Sequence, residues 1–272
     1  MAEISEKIEL LGKNIYKDIP GTITLKSIPT SSELDYVGAE DFDTTMVDKI
    51  LPQSIEENIE CRKLLYMDYQ WVCRCLRFLN YGPYHTVNLM YCPDCGILRD
   101  EFQVDMRSVD VIPLPLDMKS SQIRIKKSEF IDFDEDITIC IPTVQQVLDS
   151  RKDCMFARND GSHDNKLASL CYMITKVGET TVTAIEARGT IMNKLSPADF
   201  KLLSGLASEL TNYGLRNGGT CKCPRCGNAG ASFITPSDDL FFRPSLGDLR
   251  KWKSDRDSKR EEDASRTETA TV

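Results

Sequence analysis

Four cysteines stand in two copies of one short pattern, Cys92-Pro93-Asp94-Cys95-Gly96 and Cys223-Pro224-Arg225-Cys226-Gly227. Two residues between thiols let the backbone fold around a single ion with its N–H groups facing the sulfurs. The proline presets the turn, and the glycine takes the tight conformation behind the second ligand. One such knuckle supplies two ligands, whereas a structural zinc takes four in a tetrahedron. The spacing therefore predicts one shared four-thiolate Zn(2+) site built from Cys92, Cys95, Cys223 and Cys226, closing residues 96–222 into a loop. Loop closure costs entropy that grows only as ln n, and zinc binding worth roughly 10–16 kcal/mol offsets it.

Other uses of these thiols fit less well. The chain has 11 cysteines, an odd number, and nothing marks it for export, so a disulfide framework is disfavoured. A redox C-x-x-C usually opens a helix, whereas strand-like residues flank Cys92 and glycines follow Cys226. A zinc deaminase needs an H-x-E, which is missing. Cys221, two residues before the second knuckle, is a spare thiol able to replace a neighbour. Cys61, Cys140, Cys154 and Cys171 read as core, as do Cys73 and Cys75, which lie two apart on one helix and face different directions. Of the two histidines, His85 precedes the first knuckle in a strand and packs or is exposed rather than ligating; His163 sits in a polar loop. No Walker loop, G-x-G-x-x-G, H-E-x-x-H or nucleophile elbow occurs, and Asp132-Phe133-Asp134-Glu135-Asp136 lacks the glycine and spaced glutamate of a calcium loop and reads as a solvated turn. No catalytic constellation emerges, and no enzyme activity is expected.

The elements that must hold the knuckles follow from periodicity. Residues 21–28 alternate as a half-buried strand, and short helices are expected at Ser31–Tyr36 and Thr44–Leu51. A helix from an Asp68 N-cap to Leu79 carries an apolar stripe (Trp71, Val72, Cys75, Leu76, Leu79) and stops at Tyr81-Gly82-Pro83. Strands at His85–Met90 and Ile97–Val104 make a hairpin with the first knuckle at its tip. Residues 122–127 and 137–141 form another pair, and Pro142-Thr143 opens a helix over Val144–Leu148. Residues 165–213 read as helical throughout. One stripe there is Leu167, Leu170, Cys171 and Ile174; a second helix is expected at Ile185–Leu195. A third opens on Ser196-Pro197-Ala198-Asp199, facing Phe200, Leu203, Leu206, Ala207 and Leu210 one way and ending at Gly214 or Gly218-Gly219.

The fold expected is α+β, with zinc-ribbon-like β elements around two C-P-x-C-G knuckles and a helical insert between them. Along the chain this gives an N-terminal strand with acidic short helices (1–60); a helix, the first knuckle hairpin and a β region (61–142); the helical insert (143–220); the second knuckle ribbon closing on the first (221–249); and a charged tail (250–272). One interrupted domain is expected rather than two separate beads.

Charge bounds the function. With 34 Lys+Arg against 42 Asp+Glu the net charge is −8, which argues against nucleic-acid backbone binding as the main activity. No apolar run approaches a membrane span, and the acid-bearing MAEISEKIELLGK start does not read as a signal peptide, so a soluble intracellular protein is expected. Nine acids against Lys49 between Ser31 and Glu60 precede four bases against one acid between Cys61 and Asn80; the acidic stretch docks on the basic helix or a partner, or is a solvated face. The last 22 residues, six bases and six acids with almost nothing apolar, read as a tail that is disordered or orders only against a neighbour, with Trp252 as its one anchor.

Taken in order, GTITLKSIPTSSEL, LRFLNYGPYHTVNLMYCPDCG, FQVDM, IPTVQQVL, NKLSPADFKLLSGL, CPRCG and DLFFRP resemble the baseplate hub assembly proteins of T-even-type contractile-tailed bacteriophages. The extra Cys221, the acidic N-terminal third and the charged tail depart from that pattern. The resemblance implies a non-enzymatic protein that helps build the baseplate hub or tail tip in the host cytoplasm, as a chaperone-like assembly factor or a minor virion component. Its partners would be hub or tail-tip proteins, and its knuckle cysteines metal ligands. An aromatic edge of Phe233, Phe241, Phe242 and Trp252 would meet the partner, or Phe241 and Phe242 would cap the chain's own core. The alternative is a zinc-ribbon nucleic-acid or transcription-related module, supported by Lys222, Arg225, Arg243 and Arg250. An enzyme with a structural zinc is the third reading.

Overall fold

The computed structural model describes residues 5–29, 32, 41–88, 90–158, 162–234 and 245–269. Helices and antiparallel sheets segregate around three apolar cores, an α+β arrangement.

The first core gathers the N-terminal hairpin, β1 (Ser5–Glu9) and β2 (Thr22–Lys26), against two helices. The first, α1, spans 42–54 and contains a π-type turn at Met46–Ile50. The expected helix at Ser31–Tyr36 lies, apart from Ser32, outside the described residues. The second, α2 (Tyr66–Tyr81), buries Val72, Cys75 and Leu76 as its stripe predicts. Its start differs from expectation. Asp68 is no N-cap but lies fully buried inside the first turn, where it accepts N–H bonds from Leu11 (2.6 Å) and Gly12 (3.1 Å) and the Tyr16 hydroxyl (2.7 Å). The Tyr16 oxygen in turn receives the Leu65 N–H at 2.8 Å. As the third residue of the helix, its carboxylate turns to the 10–21 loop and anchors it rather than capping the helix. Acids of the N-terminal third do find cations: Asp48 meets Arg62, Asp43 meets Arg151 and Asp41 meets Lys152. All three of those bases lie outside α2, whose own Arg74 and Arg77 are buried.

The largest core lies under a four-stranded sheet ordered β11-β10-β9-β8, with β8 at Gln122–Ile125, β9 at Ile137–Cys140, β10 at Ile174–Val177 and β11 at Thr180–Thr181. Helices α3 (Val144–Lys152), α4 (Asn165–Met173), α5 (Ala184–Lys194) and α6 (Pro197–Thr211) accompany it. This corrects the expectation of an all-helical 165–213. Ile174-Thr175-Lys176-Val177 is rich in β-branched residues that favour a strand, and it pairs with β9. The helical stripe ends at Met173, and the region is a sheet with helices rather than an insert. Ser196 caps α6 as predicted, and Asp199, fully buried, also accepts the N–H groups of Ile131 (2.6 Å), Asp132 (3.1 Å) and Phe133 (3.1 Å). The 132–136 acidic run is therefore more than a solvated turn: Phe133 is core, Glu135 pairs with Lys194, and Asp136 with Arg124.

The third core belongs to a five-stranded sheet ordered β5-β4-β13-β12-β7 and a smaller pair, β3 with β6. Here β3 is Tyr84–Val87, β4 Met90–Cys92, β5 Gly96–Leu98, β6 Phe102–Asp105, β7 Val109–Ile112, β12 Gly214–Cys221 and β13 Ala231–Ile234. The strand expected over His85–Met90 is thus two strands in different sheets, as is that over Ile97–Val104. Arg74 and Arg77 tie α2 to this layer by donating to backbone oxygens: Arg74 to Met106 (2.8 Å) and Val109 (3.1 Å), Arg77 to Gly82 and Tyr84 (2.6 Å).

The charged tail begins as a helix, α7 (Leu246–Thr269), which corrects the expected disorder. Ser245 and Asp248 cap each other reciprocally, Ser245 N–H to the carboxylate at 2.9 Å and Asp248 N–H to the hydroxyl at 3.1 Å. Buried Asp248 also accepts from Thr86 (3.0 Å) and Gln103 (2.8 Å). Trp252 packs directly over Gly82, where a Cβ would collide with the indole. Tyr84 donates to Asp255, and Lys251 lies 4.6 Å over the Tyr84 ring. Polar anchors on β3 and β6 hold the first turns where apolar burial could not. No described helix is long and apolar enough to cross a membrane.

Candidate metal centre

Strand pairing brings the knuckles together. Chain segments β4 and β5 form one hairpin with residues 93–95 at its tip, and β12 and β13 form another around 222–230. β13 pairs antiparallel with β4, Ser232 opposite Tyr91 and Phe233 opposite Met90. β4 runs into the first knuckle and β13 runs out of the second. Antiparallel neighbours therefore set both knuckles at the same end of the sheet.

There the sulfurs of Cys92, Cys95, Cys223 and Cys226 all lie within 4.8 Å of one another. Cys92 Sγ and Cys226 Sγ are 3.5 Å apart, too far for a disulfide. A tetrahedron with Zn–S bonds of about 2.3 Å has edges of roughly 3.8 Å, so the spacing suits a metal tetrathiolate. Cys92 and Cys223 are buried in the core of this sheet, while Cys95 and Cys226 are exposed. Gly96 (φ 74) and Gly227 (φ 79) take the left-handed conformation behind the second ligand of each knuckle. At Gly96 a Cβ would meet nothing within 4 Å, so backbone conformation alone calls for glycine.

The electrostatics ask for a cation. Backbone N–H groups, Cys226's first and Arg225's as well, hold the Cys223 thiol down to about 7 against the cost of desolvation. Hydrogen bonding with Cys226, burial and the other two sulfurs push Cys95 up to about 12. Crowded thiols cannot all ionise side by side without a counter-charge, and a divalent ion supplies it. The donor set fits a soft or borderline metal.

Two contacts across the knuckles went unread in the sequence. Asp94, the variable residue of the first knuckle, accepts from Asn228 Nδ2 at 2.8 Å, and Arg225, the variable residue of the second, pairs with Asp100. Opposite charges at matched positions hint at pairing, yet each finds a different mate. Both pairs are solvent-exposed and worth little each.

The remaining candidates lie elsewhere. Cys221 ends β12 opposite Ala231, half-buried and outside the four-sulfur group. Cys61, Cys73, Cys75, Cys140 and Cys171 are buried, but Cys154 is exposed, because its short 3-10 turn places it at the surface. His85 is buried with Nδ1 3.4 Å from Arg77 Nη2, and His163 bonds Asn165 and the Asp153 carbonyl oxygen. Of the expected aromatic edge, the two described members are taken up within the protein. Phe233 is core, since its place on β13 faces inward, and Trp252 is spent on Gly82. Phe241, Phe242 and Arg243, with the rest of the DLFFRP run, lie outside the described residues. The exposed apolar pair on this sheet is instead Tyr91 (54%) directly opposite Ile97 (64%). No known family model, curated protein or solved structure matches the chain.

Proposed function

We propose that this is a non-enzymatic tail protein of a contractile-tailed bacteriophage, a baseplate hub assembly factor or minor tail-tip component, held in shape by a structural zinc. The reading rests on one observation above the others: two knuckles from distant parts of the chain meet in a four-sulfur cluster at the end of one sheet. Such a centre, closed by four thiolates with no open position, shapes a body for docking rather than a reactive pocket. The motif order quoted above supplies the phage assignment. Tyr91 and Ile97, exposed side by side, offer the kind of apolar anchor that protein contacts use. Zinc is favoured over other thiophilic ions by the tetrahedral spacing and the absence of any need for redox chemistry in a structural role.

A metal assay on purified protein tests the centre: one zinc per chain in the wild type, none in Cys95→Ser or Cys226→Ser. Metal retained in both variants refutes the shared site. Co-purification of the tagged chain from phage-infected cells, beside mass spectrometry of mature particles, tests the assembly role. Recovery of hub or tail-tip proteins is expected; their absence from both samples rejects the assignment. A salt-sensitive shift of DNA or RNA on a gel would favour the nucleic-acid module instead, although Arg225, one of its supports, is already paired with Asp100.

A further inference from the structure

Away from the metal centre, the largest core opens onto a continuous groove. One part is an apolar trough of about 450 Å³ between α4 and α6, and the other a polar hollow of about 820 Å³ beside α3 and the start of β12. Asn165, Ser169 and Thr211 line both, so the two run into each other. The trough has Leu170, Met173 and Ala207 as its floor and Phe200 at its edge, 36% exposed. Its middle stays open because α6 turns Ser204, Ala207 and Ser208 toward it there, side chains too short to fill it.

The charge of this groove runs against that of the chain. The protein carries a net −8, yet the lining contains Lys166 in the trough and Arg151 and Arg216 in the hollow, and no Asp or Glu. Neither the Lys166 ammonium nor the Arg216 guanidinium forms an ion pair or hydrogen bond with a described residue. Arg151 is fixed from behind by Asp43, with its other end donating to the Tyr66 hydroxyl at 2.9 Å and its guanidinium 5.6 Å from the Tyr66 ring centre. An apolar trough flanked by cations complements one kind of occupant. Nucleic acid would want a longer cationic track, and here the α4–α6 trough is mostly apolar.

We propose that this groove docks an acidic amphipathic helix of a partner protein, its apolar face in the α4–α6 trough and its carboxylates on Lys166, Arg151 and Arg216. β12 carries Arg216 near its start and leads to the second knuckle at its far end, so groove and metal centre can be perturbed separately.

The test uses the full zinc-loaded chain and a fluorescein-labelled synthetic helix with Leu at i, i+3, i+4 and i+7 and Glu on its flanks, read by anisotropy. The Glu peptide should bind. Arg216→Glu should weaken it about tenfold, more at low salt than at high, and Ser208→Trp, which fills the trough from an exposed position, should weaken it at least as much. Arg99→Glu, exposed just after β5 and outside both the groove and the knuckles, should leave binding unchanged. Circular dichroism and zinc content must match the wild type in all three variants. The proposal fails if the Glu peptide does not bind, if a Lys version binds equally well, if Arg216→Glu and Ser208→Trp bind as the wild type, or if single-stranded DNA displaces the peptide.

Discussion

The knuckle sheet and the body it sits on solve the same problem by different means. Among the described residues, the core beneath the knuckle sheet has ten buried members, and two of them, Cys92 and Cys223, belong to the four-cysteine cluster. The two other cores hold twenty-one and eighteen, nearly all aliphatic or aromatic. At roughly 1.5–3 kcal/mol for each large side chain buried, the body supplies its own driving force, and its special polar residues are anchors: Asp68 and Asp199 each collect several N–H groups from a loop. The described part of the knuckle sheet has far less apolar mass. A metal held by the four-cysteine cluster would replace burial where burial is scarce.

The largest effect that could break this contrast is metal removal. Stripping the wild type with a chelator should collapse amide protection in β4, β5, β12 and β13, with a loss on the order of 10 kcal/mol of local stabilisation, while β8, β9, β10 and α2 stay protected. Hydrogen exchange resolves the two regions, and uniform loss across both would dissolve the distinction. Next comes a cavity in the body. Leu203→Ala, at a position with no exposure, should cost about 3–4 kcal/mol in urea unfolding and leave the metal content untouched; a drop in zinc would mean that the regions share one fate.

A third perturbation falls between them, at the β3–α7 seam. Burial, and then the Arg77 charge, hold His85 down to about 4, with Asp248 opposing. The folded chain therefore refuses a proton that the unfolded chain accepts below its usual value near 6.5. Stability is unaffected above that pH and falls as pH drops from about 6.5 to 4, by on the order of 3 kcal/mol. His85→Leu should flatten this part of the profile in a comparison of urea midpoints, the metal term being common to both proteins; an unchanged slope would remove His85 from the account. The smallest effect sharpens the comparison most. Gly96→Ala and Gly178→Ala both place a side chain at positive φ (74 and 57), each costing about 1 kcal/mol. Only the first should weaken zinc, about fivefold in a competition titration with a chromogenic chelator; equal weakening by both would tie the metal to the body.

What the sequence discloses follows the same division. The four ligands were legible because thiol spacing and the Pro-Gly frame are local. So were α3 and α6, through Thr143 and Ser196 as caps; α5, expected at Ile185–Leu195, forms at Ala184–Lys194 on a Thr183 cap that the reading did not use. What failed depended on distant partners. β10 was hidden because Ile174 continues a helical stripe, which outweighed the β-branched run that pairs with β9. Asp68 looks like a cap until the 10–21 loop arrives to use it. The start of α7 was legible but missed: Ser245-x-x-Asp248 is a capping box, outweighed in reading by the charged residues after it. Beyond the local frames, side-chain exposure such as that of Tyr91 and Cys154 has no signature short of the assembled fold.

The order of the ligands along the chain has a consequence for synthesis. As the polypeptide leaves the ribosome, Cys92 and Cys95 emerge first with only half of a coordination sphere, and the strands and helices of the largest core follow before Cys223 and Cys226 complete it. An ion captured early would be held by two sulfurs and easily surrendered; one captured late would be locked in. Loading of the proposed centre would then report that translation has passed the second pair, and a ribosome stalled between the pairs would leave a nascent body without its clasp.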